Sequence, residues 1–240
     1  MDKPTFELLC IGAGGTGGYF LKEFSRYYFK KLPIKSLNVM DGDIVEEHNL
    51  TRQCFLSEDI GQKKAAVLAE ILNSSFNLSW NCFPRFLTSL KDFDDVFTYA
   101  SSSIPIIIGC VDNHGCRLLC EEYFNTHDNC IYFDAANEIE SGEVVFSYKI
   151  KGQQLSLLRS EIFPELRNGN ADTRNVTELS CEELNVHMPQ HIITNMLAGN
   201  ILLSAVCKLL ENGEFHLGMT VFNAASMSME FIERRKEKHD

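Results

Sequence analysis

The run Ile11-Gly12-Ala13-Gly14-Gly15-Thr16-Gly17-Gly18 constrains this chain more than any other eight residues in it. It follows an apolar stretch, Phe6 to Ile11, that reads as a buried β-strand. It opens a segment, Thr16 to Tyr28, that reads as a helix. Glycines at such a junction permit positive φ and close backbone approach, and the first N–H groups of the helix are left facing an anion. Taken alone, the Gly-x-Gly-x-x-Gly spacing points to a nucleotide or dinucleotide, with NAD or FAD as the default ligand. The next apolar strand, Ser36 to Met40, ends at Asp41-Gly42-Asp43, and Asp41 stands 24 residues after Gly17. An acid at about that distance is where a doubly wound sheet binds ribose hydroxyls.

Strands and helices then alternate. Lys63 to Asn73 reads as a helix, Leu78 to Phe83 as a strand, Asp92 to Tyr99 as a short helix and Ile104 to Val111 as a strongly apolar strand. Gly115 to Thr126 is the next helix and Cys130 to Ala135 the next strand. Glu143 to Ile150 alternates as an antiparallel strand would. The expected fold is α/β: a Rossmann-like, mainly parallel sheet continuing into antiparallel strands, with helices on both faces. One domain spans residues 1–240. A crossover segment lies at about 159–188, and Arg159 to Glu183 within it reads as mobile. Pro189 to Glu211 reads as a long helix with an apolar face. Gly218 to Asn223 and Ser226 to Ile232 read as a closing hairpin, and Glu233 to Asp240 as a frayed charged tail.

Composition removes several function classes. A formal charge of −11 argues against sequence-independent nucleic-acid binding, which needs clustered Lys and Arg. No uninterrupted apolar run approaches the ~18 to 20 residues of a membrane span, and Met1-Asp2-Lys3-Pro4 opens no secretory signal. The nine cysteines are scattered through apolar and helical contexts without a Cys-x-x-Cys pair. That pattern suits a reducing cytoplasm and structural thiols such as Cys110, Cys116 and Cys120.

Two cations sharpen the ligand. Asn49-Leu50-Thr51-Arg52-Gln53 and Gly61-Gln62-Lys63-Lys64 place Arg52 and Lys64 on either side of a turn. A triphosphate carries more charge to neutralise than a dinucleotide, so the pair leans toward ATP. Lys63 reads as solvated. Asp112, at the end of the strand closing on Gly109-Cys110-Val111-Asp112-Asn113, is a carboxylate placed to hold Mg2+ beside a phosphate site.

With these pieces in place the chain resembles the E1-like adenylyltransferases, the superfamily of ThiF, MoeB and the ubiquitin-activating enzymes. The resemblance rests on Gly12-x-Gly14-Gly15-x-Gly17, Asp41-x-Asp43, Asn49-Leu50-x-Arg52-Gln53, Gly61-Gln62-x-Lys64 and Val111-Asp112-Asn113. It continues through Asp134-Ala135-Ala136, Gly142-Glu143-Val144 and the helix after Pro189. It implies that Gly12, Gly14, Gly15 and Gly17 shape the turn under ATP and that Asp41, with Asp43 beside it, holds the ribose. It also implies that Asn49, Arg52 and Gln53 surround the triphosphate, that Lys64 neutralises the α- and β-phosphates, and that Asp112, followed by Asn113, holds Mg2+. The implied reaction is attack of a C-terminal glycine carboxylate of a ubiquitin-like protein on the α-phosphorus. The implied partners are that protein, an E2-like or sulfur-transfer acceptor, and a second copy of the chain in a homodimer. Arg117 matches a family position and is open to two roles, a nucleotide contact or an ion pair with an acid.

The chain departs from the ThiF and MoeB pattern in lacking their paired cysteines, so no structural zinc is expected. Cys181, in Glu178-Leu179-Ser180-Cys181-Glu182-Glu183, stands where many relatives carry the cysteine that takes up the acyl group as a thioester. Its polar setting suits a nucleophile, whereas Glu182 and Glu183 oppose thiolate formation. An inert loop thiol is the other reading, and a metal site from Cys181, His187 and His191 is a third. Alternatives for the whole chain are adenylation of a peptide or small carboxylate without a thioester, and a non-catalytic E1-like binding partner.

Overall fold

The computed structural model describes residues 4–28, 32–98, 103–167 and 191–237. Its strands are β1 (Thr5–Ile11), β2 (Ile34–Met40), β3 (Trp80–Phe83), β4 (Ser103–Gly109), β5 (Cys130–Asn137), β6 (Ser141–Ile150), β7 (Gln153–Gln154), β8 (Gly218–Asn223) and β9 (Ser228–Glu233). Its α-helices are α1 (Gly15–Tyr27), α2 (Lys64–Phe76), α3 (His114–Thr126), α4 (Arg159–Ile162) and α5 (Ile192–Asn212).

Among the described residues the strands form one mixed sheet in the order β3-β2-β1-β4-β5-β6-β8-β9, with β7 beside β6. The first five run parallel. From β5 onward the pairings are antiparallel. The order reverses between β1 and β4, and the crevice outside the carboxyl ends of strands at such a switch point is where an α/β sheet binds ligands. The central strands are buried on both faces, which explains their unbroken apolar sequences. Leu8, Cys10, Ile106 and Ile108 pack into one core layer with α1, α2 and α5. Leu9, Ile11 and Ile107 face the other, with α3 and Phe93, Val96 and Phe97.

Helix α5 packs along α1 and over β5 and β6. Their backbones approach closely: a Cβ at Gly199 would lie 3.2 Å from the Thr16 carbonyl oxygen and from the Phe20 nitrogen. By length and composition α5 would be able to cross a membrane, with a mean hydropathy of 1.6, but half of that window is buried inside the protein. A core helix meets the same test, and Asn195, Asn200 and Lys208 interrupt its apolar run.

Three local expectations are corrected. The short helix read at Asp92 to Tyr99 is a 3-10 turn over Leu90–Phe93, because the Asp92 carboxylate accepts from the backbone N–H groups of Thr88 (2.9 Å) and Ser89 (2.8 Å) and fixes a cap. The start of the segment read as mobile, residues 159–167, is fastened to the sheet. Asp134 of β5, 1% exposed, takes the guanidinium Nε of Arg117 at 3.1 Å and that of Arg159 on its other oxygen. Arg159 also reaches Glu143, and the Ser160 N–H donates to Glu121 at 2.8 Å. The tail read as frayed is pinned as far as Lys236: Arg234 N–H donates to Leu217 (2.9 Å), Lys236 N–H to Leu155 (3.0 Å), and the Lys236 ammonium pairs with Glu161. The rest of the crossover segment, with Cys181, lies outside the described residues.

Two guanidiniums buried on one carboxylate are sustained only while it stays charged and hydrogen-bonded. Asp134→Ala is therefore expected to lower the unfolding free energy by about 3–5 kcal/mol, the range for stranding a buried charge. Urea unfolding followed by circular dichroism checks this, and an unchanged midpoint would contradict it.

Candidate functional site

The carboxyl ends of β1, β2 and β4 meet at the glycine turn. Gly12 has φ +94°, and a Cβ there would lie 2.3 Å from the Cys110 carbonyl oxygen, so only glycine lets β1 leave the sheet beside β4. A Cβ at Gly17 would lie 1.9 Å from the Gly12 carbonyl oxygen. The first turn of α1 is thus seated directly on the end of β1. Gly14 is the N-cap and offers no side-chain acceptor to the first N–H groups of α1. Those donors remain for an anion.

Asp41 locks this turn to β2. One carboxylate oxygen accepts from Ala13 N–H at 2.6 Å and the other from Asp43 N–H at 2.8 Å. Burial and the neighbouring Asp43 raise its pKa, against the pull of those N–H donors and Lys64. Between the two acids, Gly42 supports the half-exposed Phe86 ring, which a Cβ at residue 42 would strike.

The segment from 44 to 63 folds back on itself. Val45 N–H donates to Gln62 and Gly61 N–H to Val45, both at 2.8 Å, and Ile44 bridges Lys63. This clasp delivers Lys64, 4% exposed, with its ammonium 3.1 Å from Asp43. Lys64 is also the first residue of α2, where the helix dipole disfavours a cation. Lys63 is exposed and donates to the Gly42 carbonyl. Asn49, Arg52 and Gln53 are all buried on the same clasp. Asn49 accepts from Glu46 N–H at 2.9 Å and so holds the turn itself. Gln53 lies against Gly14, and its Oε1 is buried without a hydrogen-bond partner.

Past β4, Asp112 is exposed. Asn113 caps α3, accepting from Cys116 N–H at 2.7 Å. Arg117 pairs with an acid, Asp134. Besides Asp134 it donates to the carbonyls of Val111 and, at 3.2 Å, Ala135, which ties Asp112's neighbour to β5. Among the described residues no three metal-ligating side chains are gathered together. His191 caps α5 through Ile193 N–H at 3.2 Å, while Cys181 and His187 lie outside the described residues.

One part of the site escaped sequence reasoning. Thr16, Asn137 and Asn195 meet beside Gly15 from three distant segments. No local spacing links them, so the sheet and the α1–α5 packing alone bring them together.

The family model of ThiF, described as the ThiF family, matches residues 5–240. Ubiquitin-activating enzyme E1 1 of Arabidopsis thaliana is 27% identical over 196 residues, 80% of this chain and 16% of that protein. A probable molybdopterin-synthase adenylyltransferase of Porphyra purpurea is 27% identical over 184 residues, 75% of this chain and 42% of that one. The chain therefore spans less than half the length of these relatives. Among solved structures, E. coli MccB with ATP is similar with a TM-score of 0.69 at 14% identity, covering 97% of this chain and 65% of that one. PaaA is similar with a TM-score of 0.66 at 14% identity, covering 96% of this chain and 65% of that one. At such identities the likeness is one of fold.

The seating of α1 has a direct test. Gly17→Ala forces a methyl into the Gly12 carbonyl and should cost about 1–3 kcal/mol, as overpacking does. Gly18→Ala meets nothing closer than 3.7 Å and should gain up to about 1 kcal/mol from helix propensity. Urea midpoints of the two variants, moving in opposite directions, check this; equal shifts would contradict it.

Proposed function

Because the chain belongs to the ThiF family, we propose that it is an ATP-consuming adenylyltransferase acting on the C-terminal carboxylate of a ubiquitin-like protein. The observation that carries the reading is Lys64. A lysine buried to 4% exposure at the positive end of α2 is electrostatically misplaced unless anions face it. Asp43 supplies one negative charge, and a triphosphate on the neighbouring α1 N-terminus supplies more. The glycines that a Cβ would fill and the unfilled donors of α1 fit such a ligand.

In this reading Asp41 keeps its two backbone bonds and accepts the ribose hydroxyls with its remaining lone pairs. Arg52 and Lys64 neutralise the phosphates, and the α1 N–H groups orient them. The substrate carboxylate is already ionised, so no general base is needed. Its oxygen bonds to the α-phosphorus, the bond to the bridging oxygen breaks, and pyrophosphate leaves with that electron pair. Positioning and charge neutralisation supply the catalysis. Mg2+ would be held by Asp112 together with phosphate oxygens, a donor set typical of that ion, and would add charge neutralisation there. In a second step the Cys181 thiolate would attack the acyl carbon, forming a thioester and releasing AMP. The exposed Ile193 and Met196 of α5 suit a homodimer contact, for which light scattering should give a mass near twice 27.2 kDa; the single-chain mass at all concentrations would rule it out.

Isotopic pyrophosphate–ATP exchange with ubiquitin-like proteins and, separately, short peptides tests the reading. Exchange driven by a ubiquitin-like protein is expected. Exchange with peptides alone would move the substrate to that class, and none with either would favour a non-catalytic binding partner. Lys64→Ala and Asp112→Ala should each cut exchange by about tenfold or more, as loss of a charge-assisted contact does. Cys181→Ala should retain exchange yet lose a thiol-sensitive adduct; an adduct that persists would place the thioester elsewhere.

A further inference from the structure

We propose that Thr16, Asn137 and Asn195 form the subsite for the substrate's attacking carboxylate, with the Asn195 amide N–H groups as its donors. The inference rests on the adenylyltransferase reading and assigns the acyl end of that site.

The argument is an accounting of donors and acceptors. The Thr16 hydroxyl has one hydrogen, shared between Asn137 Oδ1 at 3.1 Å and Asn195 Oδ1 at 3.4 Å. Asn137 Nδ2 donates to Asn195 Oδ1 at 2.9 Å. Two donors converging on Oδ1 fix the orientation of the Asn195 amide and turn Nδ2 toward Gly15. Asn195 is 1% exposed, and its Nδ2 is buried with no hydrogen-bond partner. A buried amide nitrogen left without an acceptor is costly, and such groups mark a place for a ligand or an ordered water. The unsatisfied atom is a donor, so its ligand is an acceptor. An oxyanion fits best, because Nδ2 lies at the first turn of α1, where the dipole also favours negative charge. Asn137 is half-buried and opens the cluster to solvent.

Position separates carboxylate from phosphate. Asp41 follows β2 directly and Lys64 pairs with Asp43 two residues on, so both approach the turn from the β2 side. Asn137 ends β5 and Asn195 belongs to α5, so they approach from the opposite side, across β1 and β4. Displacement at the α-phosphorus needs the nucleophile opposite the departing pyrophosphate. With the phosphate-neutralising Lys64 on one side, the amides hold the other. Gly15 is required by the same contact, since a Cβ there would lie 2.4 Å from Asn195 Nδ2.

The test compares ATP with 5′-O-(N-glycylsulfamoyl)adenosine, a stable mimic of a glycyl-adenylate, by calorimetry. Asn195→Ala should weaken binding of the mimic by about tenfold or more, the loss expected for a bond to a polarised acyl oxygen, and leave ATP affinity within about twofold. Asn195→Leu keeps the volume without charge or donors, and should behave alike even if the alanine variant folds poorly. Equal losses for both ligands would mean a phosphate contact or a packing role and would overturn the proposal, as would unchanged affinity for the mimic. If the wild-type chain binds the mimic but not ATP, or neither, the adenylyltransferase reading itself falls.

Discussion

Helix α1 begins so close to the end of β1 that a single methyl group at Gly17 would overlap the Gly12 carbonyl. That proximity points the helix N-terminus at the crevice between β1 and β4 and holds its free N–H groups at the carboxyl ends of these strands. Asp41 then ties the turn to β2 through Ala13 N–H, and Gln53 packs on Gly14. On the other side Asn195 lies flat on Gly15. Each neighbour reads the position of the same few glycines, so the site is assembled around backbone rather than around a side chain.

Charge is placed with equal economy. Lys64 is buried but has Asp43 within 3.1 Å, and its location at a helix N-terminus leaves it attractive to further anions. Asp134 is buried deeper, and there both guanidiniums answer it within the protein. The two sites differ in function for that reason. The Asp134 cluster is self-contained and fastens α4 and α3 to β5, whereas the edge of the glycine turn is left with unmatched donors.

The alternation of apolar strands and amphipathic helices was legible because burial on both faces leaves an unbroken apolar run, as in Ile106-Ile107-Ile108. The glycine turn and the positions of Asp41 and Asp112 just past strand ends were legible because each follows an apolar run directly. The 3-10 turn at Leu90–Phe93 was not, since one Asp92 side chain outcompetes the helical pattern there. Nor was the anchoring of residues 159–167 or of the tail through Lys236, because their partners, Asp134, Glu121, Leu217 and Leu155, are remote in the sequence.

The sequence by itself determined the sheet's central strands and the glycine turn, because these follow from periodicity and from the conformational needs of single residues. It left Arg117 open between a nucleotide and an acid. Only the tertiary structure supplied the acid: the guanidinium reaches Asp134 and the Val111 and Ala135 carbonyls. It also decided that Thr16, Asn137 and Asn195 share one polar cluster. Those residues come from helix α1, the end of β5 and the start of α5, and no spacing along a chain encodes a contact made only when three such elements pack around a glycine.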